Sequence, residues 1–453
     1  MQSVGGEERE REVVRGEDGE VGPAHLTGLI LLALAAASAP AITTAFSFRG
    51  FVVVHAAAVA GWLLLRGARM PLRRIVAIAI VLRVAVAFGP PALSGDVHRY
   101  LWDGRLFRSG INPYAHAPDD PGLAHLRPAW HARINHPSIR TIYPPHAQFL
   151  FAIFPTLLLW RAFLVACDVA IVLLLRKRGD LALAYAAFPL AVFEGAWSGH
   201  VEVAAALLLL LAFRNDSGAA AGAAAGVKLI PLAALPALLA RSSHRLRFAV
   251  AGALVMVLPL IPFALAGEVM PGMRDYATRW IFNSPLFDLV HAAIDRAGAA
   301  DALRELWTAV KDPLRLETLS PFVYGRLYSD FLARSVLAIA AVAAIALLVV
   351  RRRSVSSSVA ALLICSPAVH PWYWLVLVPL SLSEGARLWI GFALAAPFSY
   401  LLYDGVPAPV VALLCYGLPL VTAPLLPSGN VSSAVAAPSA ETPPRAGHGT
   451  SRW

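Results

Sequence analysis

Cysteine and charge are both scarce in this chain, and each scarcity excludes something. The 453 residues include three cysteines, Cys167, Cys365 and Cys415, each in or beside an apolar stretch. An odd number without paired spacing argues against a disulfide framework and against a Cys-ligated metal. Charged residues make up 15% of the chain and hydrophobic ones 58%. A soluble protein has no use for that much apolar surface, so the composition describes a polytopic membrane protein. A basic leader is missing as well: Glu7, Glu8, Glu10, Glu12, Glu17, Asp18 and Glu20 outnumber Arg9, Arg11 and Arg15. A cleaved signal peptide needs a basic start, so the apolar run 26–46 reads as a retained first span. No repeat period is evident, which weakens a transporter built from duplicated halves. The net charge of +10 could suggest nucleic acid. The arginines fall in short clusters between apolar spans, however, which is the positive-inside pattern, and nucleic acid is not expected as a partner.

Those clusters orient the chain. Arg66, Arg69, Arg73 and Arg74, then Arg176-Lys-Arg178, Arg241 to Arg247, and Arg351-Arg-Arg353 all border apolar stretches. If all are cytoplasmic, spans near 26–45, 50–65 and 73–88 leave the chain outside at Gly89. Two long extracytoplasmic loops follow, at about 89–146 and 267–333, and are expected to carry interfacial helices. The fold expected is all-α and polytopic, with about 12–14 transmembrane or half-membrane helices in a single domain spanning 25–427. Residues 1–24 and the Pro/Ser/Ala-rich tail 428–453 are expected to be disordered and cytoplasmic. The chain belongs, on this reading, in the inner (plasma) membrane as a multi-pass protein.

Several apolar segments are too short to cross, since a full span needs about 20 residues. The runs 181–194 and 201–213 are short, and 218–241 reads as two half-helices broken between Lys228 and Pro231. Gly218, Gly222 and Gly226 form a small-residue stripe that allows close backbone packing. Broken helices at membrane depth need a protein-lined or wet cavity. The bundle is therefore expected to enclose one.

The chemistry-bearing residues cluster around that expectation. Asp96 and Asp103 lie seven residues apart, nearly two helical turns, with Arg99 and Tyr100 between them. Val97, Leu101 and Trp102 are expected to face lipid, and Gly104 to weaken the helix. The plain alternative is an interfacial helix whose acids pair with Arg99 and Arg105. The same loop carries His98, His116, His125, His131, His136 and His146, with no pair at zinc-motif spacing, so no metal site is assigned. Glu194, His200 and Glu202 sit at a turn between short spans, and Lys228 interrupts an apolar run. Ionisable groups at such depth are costly and face a cavity or a partner. Arg274, Arg279, Trp280 and Asn283 open the second loop, where arginines suit phosphate and aromatics stack on sugars. His370 lies beside a proline and precedes Trp372, Tyr373 and Trp374. An aromatic belt explains the tryptophans better than it explains the histidine.

Together these segments resemble the GT-C glycosyltransferases, closest to the bacterial polyprenyl-phosphomannose-dependent mannosyltransferases. The resemblance rests on Asp96-Val-His-Arg-Tyr-Leu-Trp-Asp-Gly104 with Ile111-Asn-Pro-Tyr114, Tyr143-Pro-Pro-His-Ala-Gln148 and Gly199-His-Val-Glu202. It continues in order through Gly226-Val-Lys-Leu-Ile-Pro231, Arg279-Trp-Ile-Phe-Asn283 and His370-Pro-Trp-Tyr373. Glu202 and His146 depart from the pattern, standing where aspartate and an apolar residue are more common. The resemblance implies an inverting transfer of a sugar, with mannose favoured, from a polyprenyl-phosphate donor to a glycan or lipid acceptor at the extracytoplasmic face. It implies Asp96 as general base, with Asp103 as alternative base or as support for Arg99. Arg99, Lys228, Arg274, Arg279 and His370 become candidates for the donor phosphate. His200, Glu202, Tyr114, Trp280 and Asn283 become candidates for sugar or acceptor contacts. No cofactor is assigned, and use of a divalent metal stays open. A polytopic transporter or lipid flippase is the alternative reading, since broken helices and an intramembrane lysine also permit it.

Overall fold

The computed structural model describes residues 21–41 and 47–426. The expectations for residues 1–20 and for the tail lie outside the described residues. The architecture is all-helical, as expected, and joined by one continuous apolar core that runs from Leu32 to Leu426. Among the described residues four helices are long and apolar enough to cross a membrane: Leu157–Leu175, Arg245–Leu265, Ser329–Val350 and Ala408–Leu425. A bent pair, Ala191–Trp197 with Glu202–Asn215, makes a fifth candidate, and six of the described helices are apolar but shorter.

The breaks fall at residues the chain had marked. The Gly218–Val227 helix stops where Lys228 adopts an extended backbone, and a 3-10 turn, Ile230–Ala234, leads into Leu235–Arg241. The glycine stripe explains why the first half packs so closely. A Cβ on Gly218 or Gly222 would overlap the carbonyls of Phe248 and Gly252 on the facing helix. A Cβ on Gly226 would strike the His146 ring. The second break bends the Ala191–Trp197 and Glu202–Asn215 pair by 117°. It turns at Gly199, whose φ of +81° is costly for any residue with a side chain.

A bend at this depth frees backbone carbonyls that lipid cannot satisfy. Buried side chains take them instead. Arg161 donates to the carbonyls of Ala87, Gly89 and Trp197, and Trp160 donates to that of Gly199 at 2.7 Å. Deeper in the bundle, Arg83 donates to Asp168 at 2.8 Å and Tyr185 donates to the other Asp168 oxygen at 2.6 Å. This couple ties Leu72–Ala87, Leu157–Leu175 and Gly179–Ala186 together.

The arginine-bearing turns gather at one end. Arg66 lies beside Asp180 and Gly385, and Glu384 accepts the backbone N–H groups of Val355 and Ser356. The first loop sits at the opposite end. The Phe48–Leu64 helix spans the two, with Phe48 and Trp62 about 20 Å apart by helical rise.

Two expectations for the Asp96–Arg108 helix are corrected. Val97, Leu101 and Trp102 do not face lipid; all three are buried in protein. Gly104 is a contact point rather than a weakness, because a Cβ there would overlap the Phe151 carbonyl. The Pro145–Ile153 helix covers this face, with Tyr100 stacked on Phe151 at 4.5 Å, while Trp102 packs against His131 in the loop.

Candidate active site

The Asp96–Arg108 helix begins where the chain leaves the bundle. Ser94 Oγ accepts the Asp96 N–H at 3.1 Å, which starts the helix at the lip of a cavity of about 290 Å³. Among the described residues Asp96 is the only carboxylate that lines it. Its side chain is 15% exposed. Asn135 Nδ2 donates to Oδ1 at 2.6 Å, and the Tyr143 hydroxyl donates to Oδ2 at 3.2 Å. Burial disfavours the carboxylate, but His200, the Asn135 amide, Lys228 and His370 outweigh it and hold Asp96 below its ordinary value.

Asp103 shares the face but not the environment. Seven residues of helical rise carry it about 10 Å further into the protein, where it is 1% exposed and does not line the cavity. Arg99 Nε donates to it at 2.9 Å and Gln148 Nε2 at 3.4 Å. Burial raises its pKa, with Arg99 opposing. Arg99 itself reaches the cavity and donates to the Ile139 carbonyl at 2.7 Å.

Lys228 stands at the break in its helix, and the extended backbone there carries its side chain into the cavity. Its ammonium lies 2.6 Å from Glu202 and about 5 Å from the ring centres of Tyr143 and Tyr373. A second cavity, of about 450 Å³, adjoins there. Apart from Ser366 and the residues it shares with the first, its walls are apolar, among them Leu229, Leu232, Met273, Ile345 and Leu362. Lys228, Tyr143, Tyr276 and Tyr373 line both spaces, and the hydroxyls of Tyr276 and Tyr373 are 2.6 Å apart. Burial pushes Tyr276 up to about 12, so it remains a neutral phenol.

The remaining candidates divide. Trp280 lines the polar cavity with its ring against His136 at 4.6 Å. His370 also lines it, stacked between Phe282 and Trp372, and burial pushes its pKa down to about 3, so the imidazole there is neutral. His200 and Glu202 are fully buried behind the wall, the first stacked on Trp372 and the second against Lys228. Tyr114 is also behind it, its hydroxyl donating to the Tyr143 carbonyl at 2.7 Å.

Arg274, Arg279 and Asn283 are not brought to the cavity. On the Gly272–Arg279 helix, Gly272 packs on the Arg140 backbone and Tyr276, one turn on, faces inward. Arg274 lies about half a turn away and is exposed; Arg279 is 71% exposed and paired with Asp275. Asn283 occupies a left-handed turn and its carbonyl accepts the Tyr416 hydroxyl. Sequence reasoning gave no role to Asn135, Tyr276 or Tyr373. Asn135 lies in the first loop, 39 residues from Asp96, and the two tyrosines come from segments 97 residues apart, so each meets its partner only through folding. Among the described residues no group of three or more His, Cys, Asp or Glu side chains could hold a metal ion.

Residues 19–135 match the family model of the alpha-(1->6)-mannopyranosyltransferase N-terminal domain. That segment contains Asp96, Arg99, Asp103, Tyr114 and Asn135, and the match fits a GT-C mannosyltransferase. The chain is a glycosyltransferase. No curated protein and no solved structure matches it. The enzyme's matched segment thus includes one wall of the polar cavity, while Lys228, Tyr276 and His370 come from beyond it.

Proposed function

We propose that the enzyme transfers a mannosyl residue from a polyprenyl-phosphate donor to a hydroxyl of a glycan or lipid acceptor, at the extracytoplasmic face and with inversion. The observation that carries this reading is the pair of adjoining cavities: a polar one with a single carboxylate, and an apolar one that meets it at Lys228. A donor of this class has the same two parts, a charged sugar phosphate and a long hydrocarbon chain. The apolar space suits the first isoprene units, Lys228 and Arg99 suit the phosphate, and Trp280 suits the sugar face. The arginine-rich turns at the other end support an extracytoplasmic cavity.

In the reaction, the acceptor oxygen bonds to the anomeric carbon while its proton passes to Asp96. The anomeric C–O bond breaks on the opposite face, and its electron pair leaves on the lipid phosphate. Phosphate is a stabilised leaving group, so it needs a cation rather than a general acid. One carboxylate therefore suffices, and a single in-line displacement inverts the anomeric centre. Asp103, sealed against Arg99, positions that arginine.

The test is transfer from labelled polyprenyl-phosphate mannose by the purified enzyme in vesicles. Wild type should transfer, and Asp96→Asn should fold but transfer about 10²- to 10⁴-fold more slowly. Full activity in Asp96→Asn would remove the base assignment, and no transfer from any polyprenyl-phosphate sugar would remove the donor class.

A further inference from the structure

Behind Asp96, on the side away from the cavity, lies a second carboxylate that the reaction as written does not use. Glu194 is fully buried in the Ala191–Trp197 turn. One of its oxygens accepts the Tyr400 hydroxyl at 2.6 Å. The other stands 3.3 Å from His200 Nε2. The opposite edge of the same imidazole, Nδ1, stands 4.0 Å from Asp96 Oδ2. His200 thus sits edge-on between two carboxylates, one facing the cavity and one sealed in the bundle. Neither imidazole nitrogen has a hydrogen-bond partner of good geometry, although the ring is fully buried. A buried imidazole with both edges directed at acids and neither bond completed is costly unless the site uses it.

The ring is also held against rotation. It stacks on Trp372 at 4.0 Å with planes 10° apart, and Trp372 stacks on His370 at 4.5 Å. The stack fixes which edge meets which acid, and the Trp372 face favours a cation above it. The bend at Gly199 is what brings this about. Without the 117° break, Glu194 and His200 would be more than a helical turn apart.

We infer that His200 and Glu194 form a proton relay behind Asp96, which receives the proton taken from the acceptor hydroxyl and resets the base. The inference rests on the proposed transfer reaction and deepens it. The acceptor's proton moves to Asp96 as the glycosidic bond forms, then from Asp96 Oδ2 to His200 Nδ1, and Glu194 balances the resulting imidazolium. No electrons change hands, and the proton leaves later to solvent by the same path. The 4.0 Å gap closes by a rotation of Asp96 or through one water; catalytic hydrogen bonds are often long before substrate is bound. Other titratable groups about this path are Tyr100, Tyr143, Glu202, Lys228 and His370 on the Asp96 side, and His55 and Tyr400 beside Glu194. His200 and Glu194 are positioning residues for Asp96, since neither reaches the cavity.

Glu194→Gln tests the relay with little change of shape, because the amide oxygen still accepts from Tyr400. The reaction is measured on full-length enzyme in vesicles with labelled polyprenyl-phosphate mannose, alongside His200→Gln and the double variant, each checked for its unfolding midpoint. Each single variant should lower kcat about tenfold or more while KM for the donor stays within about twofold. The double variant should lose no more than the worse single one, because the two residues act as one unit. A kcat within twofold of wild type in both singles overturns the relay. So do losses that multiply in the double variant, or that appear as a rise in KM. Should His200→Gln fail to fold, Glu194→Gln on the Asp96→Asn background decides: a relay predicts no additional loss there, and a further loss overturns it. A wild-type enzyme that transfers no sugar defeats the proposed function itself, which is a separate result.

Discussion

Two aspartates, Asp168 inside the bundle and Asp96 at the lip of a cavity, are each held by side chains from other segments of the chain, yet their surroundings are opposite. Asp168 is fully buried; a guanidinium at 2.8 Å and a phenol at 2.6 Å take its two oxygens. Asp96 is open to a cavity, its hydrogen bonds come from an amide and a phenol, and its nearest basic side chain, the His200 imidazole, stands at 4.0 Å. An acid sealed by a contact cation joins helices, because separating the pair would leave a bare charge in the core. An acid held by neutral donors, with cations set back, stays ionised and still has a lone pair to give. The difference between the two aspartates in this bundle is a matter of where the cation sits.

The widest test of that contrast is activity. Asp96→Asn should lower sugar transfer about 10²- to 10⁴-fold, the usual worth of a general base, with an unchanged unfolding midpoint. Asp168→Ala should do the reverse. Leaving Arg83 unpaired should cost about 3–5 kcal/mol, read as a lowered midpoint in detergent, while the folded fraction keeps its KM.

A smaller effect separates the cations. Lys228→Met should raise KM for the lipid donor by about ten- to a hundredfold, the range for a hydrogen bond to a charged group. Arg279→Ala, on the exposed side of its helix, should change transfer by less than about twofold and stability by less than about 0.5 kcal/mol. A large loss in Arg279→Ala would return that residue to the site.

The smallest effects concern pH. Asp96 is held below its ordinary value of 3.8, so its contribution to activity is present at neutral pH and lost only as pH falls through that depressed value. An acid limb set by this group near neutrality would contradict its surroundings. His370 is shifted in the same sense, over a higher pH range. Its folded value, about 3, lies below its ordinary 6.5, so the unfolded chain binds the proton first and stability falls as pH drops from about 6.5 toward 3. His370→Asn should flatten that part of the profile of unfolding midpoint against pH.

Some of this was legible in the chain and some was not. The Lys228 break, the glycine stripe and the paired acids were readable because each depends on neighbours within a few residues. The error over Val97, Leu101 and Trp102 shows the limit. An amphipathic pattern says that a face is covered but not by what, and here protein covers it where lipid was expected. Arg83, Asp168 and Arg161 gave no sequence signal at all. Single charges inside apolar runs become meaningful only when the helix that carries the partner is known.

Composition and local pattern by themselves determined that this is a helical membrane protein, where its helices break, and that Asp96 opens a helix at the bundle's edge. The physical reason is short range: solvent preference, backbone freedom and helical periodicity act over a turn or two. Only the tertiary structure decided that Asp96 faces a cavity while Asp103 is sealed. It alone decided that Arg274 and Arg279 point away, and that His200 stands between Asp96 and Glu194. Those outcomes depend on which helices pack together, and a buried charge takes its role from partners dozens or hundreds of residues away.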